Sequence, residues 1–229
     1  ANATGADCVS IGYGALGANT TASYNTAVGR NAMLLNESGA KNVAVGAYAL
    51  DAATTVDWNV AIGYNALTAC TATQNTAVGG AALEDCTTGE YNVAVGMEAG
   101  RNLTTGSNNT AIGRNALDKA VTGDENTAVG ALAGRDITSG AKNTGVGVYA
   151  CAAVTTGNNN TAVGHGALPS NTTGSGNVAL GWSTLNQNTT ADNNVAIGYQ
   201  AMLQNTTGTG VAVGAYALDA QTVGKNNNA

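Results

Sequence analysis

Asn25-Thr-Ala-Val-Gly29 decides the fold, because it does not occur once. Asn42 to Gly46 reads NVAVG, Asn59 to Gly63 reads NVAIG, and Asn109 to Gly113 reads NTAIG. Thirteen related copies run from Cys8-Val-Ser-Ile-Gly12 to Gly210-Val-Ala-Val-Gly214. Their closing glycines are 17 residues apart, except Gly63 to Gly79 and Gly198 to Gly214, which are 16 apart. A fixed period of this size marks a repeat architecture. In such a chain each repeat is stabilised by its neighbours and not by one central core.

Composition narrows the class. There are 32 glycines, one proline, no phenylalanine and only 10% charged residues. Low charge with abundant Val and Thr is unlike a disordered tail, and glycine lacks the three-residue period of collagen. The net charge of −6 argues against nucleic acid as a partner, since a basic stripe is what that binding needs. No apolar run approaches the ~18 residues of a membrane-spanning helix. We therefore expect a segment that is not membrane-embedded, and no signal peptide is visible. The series begins partway through a repeat and ends at Lys225-Asn-Asn-Asn-Ala229, where another repeat would open. Residues 1–229 read as a single solenoid array, either a fragment of a longer fibre or a unit that stacks end to end.

Within a repeat, let the Asn be position 0. Position 1 is Val or Thr, position 2 is nearly always Ala, position 3 is Val, Ile or Leu, and position 4 is Gly. Short β-branched alternation predicts a strand, and the Gly ends it in a tight turn. Positions 1 and 3 take one side and position 2 the other. Position 7 is Ala in every copy except Thr184, and position 8 is mostly Leu or Met. This predicts a second, shorter strand with its large side chain inward. Thr-Thr-Gly at positions 12 to 14, as at Thr87 to Gly89, is turn chemistry. All 22 acidic and basic residues avoid positions 0 to 4, 7 and 8, as burial of those positions requires. The fold expectation is all-β: a parallel solenoid of about 13 coils, stacked about 4.8 Å apart. The recurring Asn has two readings, an amide ladder along the stack and a residue tolerant of left-handed backbone.

The coil is thin. With Val or Ile at position 3 and Leu or Met at position 8 as its large inward groups, little apolar area is buried, at roughly 25 cal/mol per Å². The uncharged Ala ladder is then expected to face outward and pack on a second copy of the chain.

These residues resemble a known family. Asn-[Thr/Val]-Ala-[Val/Ile]-Gly-x-x-Ala-[Leu/Met] looks like the head repeats of trimeric autotransporter adhesins of the YadA type. It is also similar to repeats of bacteriophage tail fibres. The resemblance runs from Cys8 to about Leu218. It implies a left-handed β-roll, three chains side by side with positions 1 to 3 facing inward, and an extracellular place on a bacterial surface or a virion. The Ser expected after the Asn is Thr or Val here, and the period of 17 is longer than in the commonest heads.

Few residues suggest chemistry. His165 is the only histidine and has no Ser/Asp partner in sequence; neither a catalytic set nor a metal cluster can be assembled, and no cofactor motif is present. Cys70 and Cys86 occupy the same position of adjacent coils. Stacking brings them within disulfide range, and the alternative is a pair of small buried hydrophobes. Cys8 and Cys151 lie apart and are expected to be free. Corner aromatics suit contact with a sugar or a protein partner: Tyr64, His165, Trp182 and Tyr199 are the candidate surface contacts. The sequons at Asn36, Asn171, Asn188 and Asn205 arise from composition and matter only on a glycosylating export route.

The expected function is a non-catalytic fibre or adhesin head, a homotrimer attaching to a host surface protein, matrix or glycan. The alternatives are a self-assembling extracellular filament and an ice-binding solenoid. Ice binding wants Thr-x-Thr within a strand, whereas adjacent threonines of an extended chain point to opposite sides.

Overall fold

The computed structural model describes residues 5–119, 121–220, 222, 224 and 227–229. Lys225 and Asn226, part of the expected opening of a further repeat, lie outside the described residues. The chain is an all-β parallel solenoid, and it divides into two units, 1–114 and 115–229. The first carries β1 (Val9–Ile11), β2 (Thr26–Val28), β3 (Val43–Val45), β4 (Val60–Ile62), β5 (Thr76–Val78), β6 (Val93–Val95) and β7 (Thr110–Ile112). The second carries β8 (Thr127–Val129), β9 (Thr144–Val146), β10 (Thr161–Val163), β11 (Val178–Leu180), β12 (Val195–Ile197), β13 (Gly210–Val213) and the short β14 (Asn227–Asn228). Within each unit, consecutive strands pair parallel and in register, position on position, as in Val43↔Val60 and Thr161↔Val178.

The closing glycine sets this register. Its φ lies between 127° and 141° in every coil. A Cβ on Gly46 would stand 2.3 Å from the carbonyl oxygen of Gly63 in the next coil. Only Gly permits that approach at that φ.

The orientation of the strand differs from the sequence expectation. Ala27, Ala44, Ala61, Ala162, Ala179 and Ala196 are fully buried inside the coil, while Val45, Ile62, Val95, Val163 and Ile197 point outward. The Ala ladder faces in because the space it meets is already filled. Fully buried Met33, Leu50, Leu67, Leu83, Leu168 and Leu185 at position 8 occupy the centre. Only a methyl group fits opposite them at interior packing density. Where position 8 is Gly, the chain compensates at position 11. Leu103 reaches into the space beside Gly100, and Ile137 does so beside Gly134, with Cδ1 3.7 and 3.1 Å from a Cβ built there.

The second segment is a turn and not a strand. Leu50, Leu67 and Leu83 have φ of 51°, 54° and 50°. Positions 6, 8 and 16 are left-handed in coil after coil. The residues with positive φ there are mostly Leu, Met, Asn, Tyr, Lys, Gln, Glu or Gly, with single Trp, Asp, Ala, Cys and Ser, but not Val, Ile or Thr, whose branched Cβ suffers most there. The turns are held by hydrogen bonds between coils: Leu50 N–H donates to Ala66 O at 3.0 Å and Asn65 N–H to Ala47 O at 3.1 Å.

The Asn ladder is real, and the left-handed reading of it is overturned: no position-0 Asn has positive φ. Each is buried. Asn42 Nδ2 donates to Val56 O at 2.7 Å, and its Oδ1 accepts from Asn59 N–H at 2.8 Å. In the second unit the amides also touch one another, Asn160 Nδ2 donating to Asn143 Oδ1 at 3.0 Å. The ladder satisfies buried backbone groups that the short strands leave open.

Candidate functional site

Three surfaces follow from this geometry. The first is the outer face of the strands. Within each unit the position-3 side chains, such as Ile62, Val95 and Ile112 in the first and Val163 and Ile197 in the second, form a stacked apolar stripe about 37–39% exposed. Position 1 is Val or Thr, as in Val43, Val60, Thr76, Val93 and Thr110. No charged residue stands on these strands. A contiguous apolar patch of this kind marks an interaction face.

The second is an aromatic column in the second unit. The structure brings three of the four candidate contacts together: His165 stacks on Trp182 with ring centroids 6.3 Å apart and planes 14° apart, and Trp182 stacks on Tyr199 at 5.0 Å and 9°. Tyr149 meets His165 edge-on at 6.3 Å and Tyr216 meets Tyr199 at 5.3 Å. Near-parallel rings one coil apart cover each other's faces and present rims to solvent. Trp182 and Tyr199 thus form a rigid hydrophobic rib more than an open stacking platform. Tyr64 is not part of it; it lies in the first unit, edge-on to Tyr48 at 6.1 Å.

The third is the turn at positions 12 and 13. Here the structure changes a premise: adjacent threonines both reach the outer side, because the chain is turning and not extended. Thr155 and Thr172 at position 12 are half-buried, and their hydroxyls donate to the next coil's Thr172 O and Thr189 O at 3.0 Å. Thr156 and Thr173 at position 13 are exposed.

Cys70 and Cys86 are stacked as expected, fully buried, and free thiols. They share a hydrogen bond that pulls Cys70 below the usual thiol range and, with burial, pushes Cys86 well above it. The first thiolate formed is stabilised by the neighbour's proton, and the second proton is held by that charge. Cys70 Sγ also lies 3.3 Å from Ala72 O and 3.9 Å from Asn75 Nδ2. Cys8 and Cys151 are free too; burial alone raises Cys151 to about 12.

The sequon residues Asn36, Asn171, Asn188 and Asn205 are buried. Each donates Nδ2 to a carbonyl three residues on, as Asn171 does to Gly174 O at 2.8 Å, so none offers its amide to solvent. Among the described residues, no group of three or more His, Cys, Asp or Glu is placed to hold a metal ion. Nor, among the described residues, is any helix long and apolar enough to cross a membrane. Comparison with known protein families, with curated proteins and with solved structures finds no match to this chain.

Proposed function

We propose that the chain is a non-catalytic segment of an extracellular fibre or adhesin head, assembled as a homotrimer through the outer faces of its strands. The observation that carries this reading is the stacked Val and Ile stripe outside the coil, while the Ala ladder is inside. Each coil buries only one or two large apolar residues, as Leu83 alone or Leu50 with Val56, so joining stripes adds apolar burial at roughly 25 cal/mol per Å² that the isolated coil lacks. Repetition suits the task, since stacked coils extend a surface by simple addition. The corners, which carry the charges and the aromatic rib, are then what the fibre shows to a host protein or glycan. The resemblance to adhesin heads and tail fibres supports a bacterial surface or virion. Light scattering at low micromolar concentration tests the assembly. A discrete particle of three chain masses that dissociates when Ile62, Val95 and Val163 are replaced by Lys is the expected result. A monomer refutes it, and open-ended growth supports the filament alternative instead.

A second reading is ice binding, favoured by one observation: threonines at positions 12 and 13 stack in adjacent outer columns over successive coils, as at Thr155-Thr156, Thr172-Thr173 and Thr189-Thr190. Thermal hysteresis in solution supports it, and its absence at millimolar protein removes it.

A further inference from the structure

A different column, at position 16, carries a pattern that the stripe and the rib do not explain. In the first unit it runs Asp7, Tyr24, Lys41, Trp58, Gln74, Tyr91, Asn108, and the five members from Tyr24 to Tyr91 carry an aromatic ring at every second coil. The residue before each ring is Ser23, Asp57 or Glu90, a hydroxyl or carboxylate that can accept a hydrogen bond. All five members are exposed, the three rings by 52–58%. All five have φ between 60° and 62°. Identical backbone in register means identical Cα–Cβ direction, so the rings project from one side at twice the coil rise, about 9.6 Å. Unlike the rib, whose rings are one coil apart and cover each other, these are separated by a polar side chain. Lys41 Nζ rests 4.2 Å from the centroid of Trp58, and being long and flexible it can move off the ring at little cost.

We infer that this column binds an unbranched β-1,4-linked hexopyranose chain lying along the coil stack. Such a chain is an extended ribbon that advances by about one coil rise per sugar and turns the same face to the same side at every second sugar. Its repeat therefore matches the ring spacing, and its C–H faces suit aromatic carbon. The acceptors beside each ring meet hydroxyl groups. Asp57 already accepts from Ala40 N–H through Oδ1 at 2.6 Å, and Glu90 accepts from Thr73 Oγ1 through Oε1 at 3.3 Å. Each carboxylate thus has a second oxygen for a sugar hydroxyl. Two carboxylates against the single cation of Lys41 select a neutral polymer over a polyuronate. The same column in the second unit, Glu125, Lys142, Asn159, Gly176, Asn193, carries no ring, so binding is confined to the first.

The inference uses the display-surface reading only in needing this column exposed, and the two fail separately. The test is retention of the whole chain on microcrystalline cellulose and on chitin. It is paired with Trp58 fluorescence, in a Trp182→Phe background, against β-1,4 oligosaccharides of two, four and six sugars. Retention on one or both polymers is expected, with affinity rising about tenfold from disaccharide to hexasaccharide. Trp58→Ala should weaken it by about three- to tenfold, and the triple variant Y24A/W58A/Y91A should abolish it, while Asn159→Ala, in the ringless column of the second unit, leaves it unchanged. Retention on cellulose alone or chitin alone identifies which neutral sugar is read. No retention on either polymer overturns the inference, as does affinity independent of chain length or full binding by the triple variant. A change of particle mass on Trp58→Ala also overturns it, by placing the ring in a subunit contact. A trimer that binds no glycan leaves the fibre reading standing; a monomer that binds leaves the inference standing.

Discussion

Replacing Asn143 by Ala tests the amide ladder where its partners are best defined. Asn143 Oδ1 accepts from Asn160 N–H at 3.0 Å, and its Nδ2 donates to Gly157 O at 2.9 Å. Removing the amide strands one backbone donor and one backbone acceptor at a buried site. Each buried unsatisfied group costs about 1–3 kcal/mol, so the expected loss is about 2–6 kcal/mol. Asn126 and Asn160 do not add to this, because Asn126 Oδ1 still accepts from residue 143 N–H and Asn160 Nδ2 still donates to Gly174 O. Urea unfolding followed by circular dichroism measures the loss, and hydrogen exchange localises it: the Asn160 amide should lose protection before amides several coils away. Asn143→Asp is a sharper variant. It keeps an acceptor for Asn160 N–H but at neutral pH turns a buried carboxylate toward Gly157 O. The folded-state pKa of that Asp is raised above its unfolded value, so the variant is most stable below the unfolded pKa and loses stability as pH rises through the folded one. A loss under about 0.5 kcal/mol for Asn143→Ala, with Asn160 still protected, would falsify the view that the ladder supports the coil.

Other consequences follow from single contacts. Gly147→Ala places a Cβ 2.5 Å from Gly164 O at φ 131°; both the clash and the strain act, and we expect more than about 3 kcal/mol lost, or no folded protein, by the same urea assay. Asp51 has a buried Oδ1 without a hydrogen-bond partner, and burial raises its carboxyl above the ordinary range despite backbone hydrogen bonds that lower it. Asp51→Asn should therefore raise the melting temperature at pH 7 and lose that advantage as pH falls through the Asp51 pKa, where the parent carboxyl becomes neutral; a pH-independent difference refutes this. Treating folded protein with diamide should join Cys70 to Cys86 across a 16-residue loop, removing two hydrogens by mass and adding about 3 kcal/mol to stability; linkage to Cys151 instead, or no linkage, contradicts the stacking. Cys151 itself, held near 12, should resist iodoacetamide at pH 8 until the chain is unfolded.

Much of the solenoid was legible because its signals are local and repeated. The strand at positions 1 to 3 and the inward Leu at position 8 followed from period and type. So did the exclusion of charge from the buried positions: none of the described charged residues is buried. What failed was the choice between the two sides of a three-residue strand. With Ala27 on one side and Val28 on the other, hydrophobicity favours Val inside; the volume already taken by Met33 favours Ala, and volume is a tertiary quantity. The left-handed corners carried a signal that was there to be read, namely the absence of Val, Ile and Thr from positions 6, 8 and 16 among residues with positive φ. The Gly100–Leu103 and Gly134–Ile137 exchanges were visible as paired departures from the repeat, but their meaning needs the shared cavity.

The candidate contacts divide in the same way. Tyr64, His165, Trp182 and Tyr199 stood out as corner aromatics, yet spacing alone could not tell rings that cover each other from rings that stand apart. Trp182 and Tyr199, one coil apart, close on each other at 5.0 Å, while Trp58 and Tyr91, two coils apart, keep a polar residue between them.

By itself the sequence determined the period, the parallel stacking in register and the identity of the buried amides, because each is enforced by every coil on the next. Tertiary structure decided which side of the strand meets the core, which corners are left-handed and which aromatic faces are covered. Those depend on how the fixed volume of one coil is shared among side chains distant in sequence, a constraint that no single repeat carries.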